Sequence, residues 1–323
     1  MALKSKILLL LEEKKGTAIS GQEIAEALCV SRSAVWKAIN SLKAEGHKIE
    51  AVPNKGYTLK KMSDILSFEG IYPHLKEEFK GIELKVLGEV TSTNLLARQE
   101  TSEENRPLVI IANSQTKGRG RKGRDFFSPP DTGIYMSFLL EPAKHFEETV
   151  RTTIAAAVAV KNALSEFTNK NVQIKWVNDI FADNKKVCGI LTEAVTDLET
   201  RGISKVIVGI GINVTTESFP EDILGIAGSV SEKPVSRNLI AAEVINSLLT
   251  LYKDLNDEYI IEEYIKASLV MGKNITYVKN NISCTGFVKD INDSGNLIVE
   301  KDDGTEDILS SGEVSLRSSS FTM

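Results

Sequence analysis

Between positions 117 and 124 the chain reads Lys117-Gly118-Arg119-Gly120-Arg121-Lys122-Gly123-Arg124, five cations and three glycines with no acid among them. A run of this kind is a loop, and it fixes where the surrounding elements must stop. Glycine lets a backbone approach a ligand closely and exposes its amide donors. Arginine supplies planar forks that match phosphate and carboxylate oxygens. The run follows an apolar segment, Leu108–Ala112, that reads as a strand and would anchor it. It is not GxxxxGK[ST], and Ser128-Pro129-Pro130 comes too soon for a GxGxxG turn that opens a helix. By itself the run equally suits a solvated basic loop or a second DNA contact.

Charge is unevenly spread. The whole chain of 323 residues carries −5. Residues 1–61 hold 11 Lys and Arg against 6 Asp and Glu, and the remaining 262 hold 28 against 38. A basic head on an acidic body excludes a wholly basic nucleic-acid binder but points to nucleic-acid contact at one end.

The head reads as helices over 5–14, from Ser20, and from Ser31 to Glu45, where Gly46 stops the chain. Ser20-Gly21-Gln22-Glu23 fits a capping box. On the third helix Val35, Ile39 and Leu42 recur at helical spacing and face inward. Arg32, Ser33, Trp36, Lys37 and Asn40 lie on the other side and suit phosphates and base edges. Residues Gly21 to Asn40 thus form a helix-turn-helix, followed by a hairpin with Lys55 at its tip, a winged version. A helical cap or a protein-binding module would use the same geometry. A DNA-binding reading calls for a symmetric dimer on two half-sites.

Met62–Phe68 reads as a linker. Strands are expected at Glu83–Val86, Leu108–Ala112, Ile134–Leu140, Val172–Val177, Val187–Ala194 and Lys205–Val214. Helices are expected at Ser92–Glu100, Phe146–Glu166, Arg237–Asp254 and Ile260–Ser268. Lys273–Arg317 reads as a small barrel with turns at Lys279-Asn280-Asn281, Asp293–Asn296 and Asp302-Asp303-Gly304. The domains are therefore expected at 1–61, 69–270 and 271–323. Three scattered cysteines and three scattered histidines supply no zinc spacing and indicate a reducing, cytoplasmic setting. The apolar run Ile154–Val160 is too short to span a membrane, and the N-terminal segment reads as a helix face, not a signal peptide.

Four further clusters bear on chemistry. Lys175-Trp176-Val177-Asn178-Asp179 ends a strand in polar groups. Asp183-Asn184 would then turn the chain and set Asp179 across a hairpin from Lys186, which is also what a surface ion pair would do. Gly209-Ile210-Gly211-Ile212-Asn213 suits close approach of a nucleotide, or a bulge. Ser92-Thr93-Asn94 is a small polar cluster, or a plain helix cap.

Taken in order, Ser92-Thr93-Asn94, Gln115, Gly118–Gly123, the KWVND segment, Lys186 with Gly189, and Gly209–Asn213 resemble the biotin–protein ligases. With the winged head and Gly312–Arg317, the whole length resembles their bifunctional ligase–repressor branch in bacteria. The resemblance implies an α/β multidomain fold: a winged helix-turn-helix, a central biotin/lipoate-ligase-like domain with a mixed sheet, and a C-terminal SH3-like barrel. It implies activation of biotin by ATP with Mg²⁺, and no tightly bound prosthetic group or protein-held metal. Biotin then passes from biotinoyl-5′-AMP to a lysine of a biotin carboxyl carrier protein. The adenylate doubles as corepressor, promoting a homodimer on operator DNA.

By resemblance, Ser92, Thr93, Asn94, Gln115, Gly118 and Asn213 bind biotin or its adenylate. Arg119-Gly120-Arg121 wraps the acyl phosphate in a loop that orders on ligand binding, and Lys186 contacts the biotinoyl carbonyl region. Phe126, Trp176, Asn178, Asp179, Gly189, Gly209, Gly211 and Arg317 support the site. Two positions depart from the family pattern: Val177 where a proline is usual, and Phe126 where tryptophan is usual. A lipoate-type ligase, or a ligand-sensing transcription factor without catalysis, is the alternative.

Overall fold

The computed structural model describes residues 1–100, 106–142, 148–196, 202–279 and 282–316. Serines open the helices of the head. After α1 (Leu3–Glu13), Ser20 Oγ accepts from the Glu23 amide at 2.9 Å to start α2 (Gly21–Ala27). Ser31 Oγ accepts from the Ala34 amide at 3.2 Å to start α3 (Arg32–Ala44). Each cap satisfies an amide that the first helical turn leaves without a partner. Between α2 and α3 Cys29 takes a left-handed φ of 53°, and Gly46 at 96° ends α3. The hairpin β1 (Ile49–Val52) and β2 (Gly56–Leu59) forms the wing. Val35, Ile39 and Leu42 pack with Ile7, Leu11, Ile24 and Leu59 into a core of the head's own.

The linker does not hang free. Ser67 caps α4 (Phe68–Ile71), against which α1 packs. The guanidinium of Arg237, 3% exposed, grips Asp64 Oδ2 at 2.9 Å and the Asp64 carbonyl at 2.8 Å. It also reaches Asn113 Oδ1 at 2.8 Å.

The body contains β3 (Glu83–Val90), α5 (Thr93–Gln99), β4 (Leu108–Gln115), β5 (Gly133–Leu140) and α6 (Glu148–Phe167). It continues with β6 (Val172–Lys175), β7 (Asp179–Ala182), β8 (Lys185–Thr196), β9 (Ile203–Asn213), α7 (Arg237–Leu251) and α8 (Glu258–Lys266). The seven strands run in the order β3-β4-β5-β9-β8-β7-β6, with β3 and β4 parallel and every other pair antiparallel. This is the mixed sheet expected. Alternate residues of β5 explain the layering. Ile134, Met136, Phe138 and Leu140 join the core under α6 and α7, while Leu139 joins Ala97 of α5 on the other face. Strand β7 was not among the strands read from the sequence, although the hairpin facing Asp179 to Lys186 was expected. The chain breaks at a cis Trp176–Val177 bond and returns as four residues, too few to stand out by periodicity.

The C-terminal unit has β10 (Asn274–Lys279), β11 (Ile282–Ile291), β12 (Leu297–Glu300), β13 (Glu306–Leu309) and β14 (Val314–Leu316), ordered β13-β12-β11-β10-β14. Strands β10 and β13 are three places apart, about 14 Å in a flat sheet. Yet Tyr277 Oη of β10 donates to Asp307 Oδ2 of β13 at 2.7 Å, so the sheet curls onto itself as a small barrel. Its Asn292–Asn296 turn tucks into the body, where Trp176 Nε1 donates to the Gly295 carbonyl at 3.0 Å. Gly295 has φ +79°, and an added Cβ would lie 2.1 Å from Ile154 Cδ1. Asn280, Asn281 and Arg317 lie outside the described residues.

Candidate active site

On the α5 side of the sheet, paired residues line up in rows. One row runs Lys175–Asp179–Gly189–Gly211–Tyr135, from β6 to β5. The next runs Leu191–Gly209–Ser137. Glycines at the middle of both rows leave the sheet without side chains there, and a cavity of about 410 Å³ forms above it.

One end of the cavity is a buried polar cluster. Gln115 Oε1 accepts from the Thr93 amide at 2.9 Å, doing the capping that the Ser92 hydroxyl does not do. Gln115 Nε2 donates to Ser128 Oγ at 2.9 Å. The fully buried Ser137 hydroxyl lies 2.7 Å from Thr93 Oγ1 and 2.6 Å from Asn94 Oδ1. Asn94 Nδ2 donates to Glu193 Oε2 at 2.8 Å. These groups form a rigid set of amides and hydroxyls, since each is held by a neighbour. Ser92, Thr93, Asn94 and Gln115 were all foreseen; Ser137 and Glu193 were not. The signal for Ser137 was its position as the polar member of Gly133–Leu140, an otherwise apolar strand buried along its length.

The basic run folds as a hairpin over this end. Gly120 donates to the Arg124 carbonyl at 2.7 Å, and Phe126 to the Gly118 carbonyl at 2.9 Å. Arg119 reaches Glu193 at 3.6 Å, and Arg121 Nη1 donates to Asn178 Oδ1 at 2.9 Å. Lys186 Nζ stands 2.8 Å from Asp179 Oδ1 across the β7–β8 hairpin, whose turn residues Asp183 and Asn184 both have positive φ. The contact is ionic: Asp179 Oδ1 makes no aligned hydrogen bond. Arg124, which also lines the cavity, and Lys122 face Glu313 of the C-terminal unit at 2.9 and 3.9 Å.

Three of the glycines admit no side chain because atoms of this chain lie directly against them. Gly118 is buried beneath its own hairpin, where a Cβ would fall 2.3 Å from the Phe126 carbonyl oxygen. A Cβ on Gly209 would meet Asn94 Oδ1 at 2.1 Å, and one on Gly211 would meet the Phe126 ring at 2.4 Å. Asn94 and Phe126 thus lie directly against Gly209 and Gly211, and all four line the cavity. Gly120, Gly189, Gly209 and Gly211 all line the cavity, Gly189 and Gly211 under the same ring. Asn213, 6% exposed, also lines it, and its Oδ1 has no hydrogen-bond partner. Trp176 borders the cavity but spends its indole N–H on the C-terminal unit. Ile223, Ile226 and Ala227, from a loop joined to Lys186 through the Ile226 carbonyl at 2.8 Å, complete the wall.

On the head, Arg32, Ser33, Trp36 and Lys37 are exposed along one side of α3, Asn40 is half-buried, and Lys55 is exposed at the wing tip. No helix among the described residues is long and apolar enough to cross a membrane.

Comparison with known proteins agrees with this division of labour. Residues 4–58 match an HTH domain, 84–213 the biotin/lipoate A/B protein ligase family, and 270–317 the biotin protein ligase C-terminal domain. The bifunctional ligase/repressor BirA of Bacillus subtilis is 34% identical over 95% of this chain and 97% of its own. That of Escherichia coli is 26% identical over 93% of each. The biotin protein ligase of Aquifex aeolicus, solved with biotin and ATP, superposes with a TM-score of 0.63 at 28% identity. It covers 73% of this chain and 98% of its own. With a winged head, a glycine-floored cavity under a basic hairpin, and relatives alike over nearly the whole length, the chain belongs to the bifunctional biotin ligase/repressor family.

Proposed function

We infer that the chain is an ATP-dependent biotin–protein ligase joined to a DNA-binding repressor head. The observation that carries the reading is the meeting of two unlike environments in one cavity. A buried, preorganised cluster of amides and hydroxyls abuts Arg119, Arg121 and Lys186. The first suits a neutral polar ring system with an apolar chain; the second suits two anions that must be brought into contact.

Biotin's carboxylate oxygen attacks the α-phosphorus of ATP. The bond to the bridging oxygen breaks, and its electron pair leaves with pyrophosphate. Arg119, Arg121 and Lys186 offset the charge that gathers on the α-phosphoryl oxygens. An acceptor lysine, as its free amine, then attacks the acyl carbon, forming an amide and releasing AMP and a proton. The unpartnered Asn213 Oδ1 is an acceptor suited to the exocyclic amine of adenine. Phe126 offers a ring face for the same base. Ser92, Thr93, Asn94 and Gln115 are read as the biotin end. Gly118, Gly209 and Gly211 are read as packing glycines that shape it.

Among the described residues, no group of three His, Cys, Asp or Glu is arranged to hold a metal. We read Mg²⁺ as entering on the triphosphate and screening its charge. We read 1–61, 69–270 and 271–323 as the domains, a biotin carboxyl carrier domain as acceptor, and a cytoplasmic location. We read the repressing species as an adenylate-loaded homodimer. Adenylate and operator binding then strengthen each other, as linkage requires.

The test is ATP–pyrophosphate exchange alongside an operator gel shift, each with and without biotin. Biotin-dependent exchange and a shift strengthened by biotin with ATP are expected. Absence of exchange in purified protein would sink the enzyme reading, and exchange driven better by lipoate would sink the substrate.

A further inference from the structure

Lys175 ends the cavity row opposite the polar cluster. It sits on the edge strand β6, with Asp179, Gly189 and Gly211 between it and Tyr135 on β5. Its side chain lines the cavity, half-buried, with Nζ 5.6 Å from the centroid of the Phe181 ring. Among the described residues no carboxylate lies within ion-pair distance of it. Its neighbours are matched: Lys186 with Asp179 at 2.8 Å, Arg124 with Glu313 at 2.9 Å. Burial pushes the Lys175 ammonium below the usual lysine range; Asp179 and Glu313 pull the other way and Lys186 adds to the fall. A desolvated cation held by a ring face alone is a place where an anion gains more than it would at the surface.

Phosphoryl transfer fixes which anion. Attacking and leaving oxygens lie roughly in line through phosphorus. The attacking carboxylate comes from the cluster on α5, β4 and β5, and the α-phosphate is met near Arg121 and Lys186. The leaving group therefore points across β8 and β7 toward β6.

We propose that Lys175 binds the β- and γ-phosphates of ATP and the departing pyrophosphate. The proposal rests on the cavity being the biotin-adenylating site. In the step it serves, one bond forms between the carboxylate and the α-phosphorus. One breaks between that phosphorus and the β-bridging oxygen, whose negative charge Lys175 meets. It makes no contact with the adenylate that remains.

The test uses full-length Lys175→Met, which keeps a stem against Phe181 and loses the charge, Lys175→Gln as a second neutral variant, and Lys175→Arg. In biotin-dependent exchange, KM for Mg·ATP and the inhibition constant for pyrophosphate should each rise about ten- to a hundredfold in the neutral variants, the loss of one charge-assisted contact. Arginine should restore most of both. Affinity for preformed biotinoyl-5′-AMP, and the rate of transfer from it, should not change. A matching loss of adenylate affinity would put Lys175 at the acyl phosphate and overturn the proposal. So would unchanged ATP and pyrophosphate constants, which would leave it a cover for Phe181. Failure of the unaltered protein to catalyse exchange would instead sink the underlying reading.

Discussion

At the scale of single residues, the cavity separates groups that hold shape from groups that meet charge. Ser137 does the first. Its hydroxyl is fully buried and shared between Thr93 and Asn94, so Ser137→Ala leaves polar atoms without a partner at a cost of about 1–3 kcal/mol. Biotin affinity, measured by calorimetry, should weaken while KM for ATP holds. Lys186 and Arg121 do the second. Lys186→Ala should slow single-turnover adenylate formation by roughly 10²–10³-fold, as loss of one preorganised donor does, with only a small fall in melting temperature from the loss of its ion pair with Asp179. Arg121→Ala should shorten the adenylate half-life, and an unaltered half-life would refute its role. Most of these residues were legible in the sequence because they are unusual for their surroundings: cations among glycines, or small polar groups at a helix start. Glu193 was not, and Lys175 stood out only as part of the KWVND segment with no role of its own, since a lysine or a glutamate in a strand looks like any solvent-facing charge until the opposite strand is known.

At the scale of elements, the head carries its own marks. Its caps, the turn between its second and third helices and its apolar stripe lie within a few residues of one another and were readable, whereas the left-handed conformation of Cys29 in that turn was not. Where the head meets the body the sequence was silent. His47, 6% exposed with Nδ1 lacking a partner, sits there close to Glu45, Glu69 and Lys15. Burial pushes its pKa below the ordinary histidine value of 6.5. The unfolded chain then binds more protons than the folded one between that lowered pKa and 6.5, so stability is full above this window and falls as pH drops through it. His74, also lowered by burial, acts in the same sense, whereas the raised carboxyl of Glu12 acts oppositely nearer the carboxylate range. Melting temperature should therefore decline on acidification below about pH 6.5, and less so in His47→Gln. Parallel profiles for the two proteins would exclude the histidine.

At the scale of the whole molecule, Arg237 joins three parts: the linker at Asp64, strand β4 at Asn113 and strand β5 at the Gly133 carbonyl. Removing one side of so buried a pair strands the other, so Arg237→Ala should cost about 3–5 kcal/mol, read by urea denaturation. Deleting residues 1–61 should abolish operator binding, and a retained gel shift would be the contrary result. It should also disturb the body, because α1 packs on α4.

What the sequence by itself determined is everything that neighbours in the chain decide: helix starts and stops, the wing, the basic loop, the head's charge, and the order of motifs that marks the family. Only the tertiary structure decided which residues share a row. Positions 175, 179, 189, 211 and 135 meet because strand register aligns them, and no local pattern encodes the register of strands so far apart. The glycines illustrate the difference. Their presence was visible, but whether each makes room for a ligand, for Asn94 or for Phe126 depends on what the fold brings opposite.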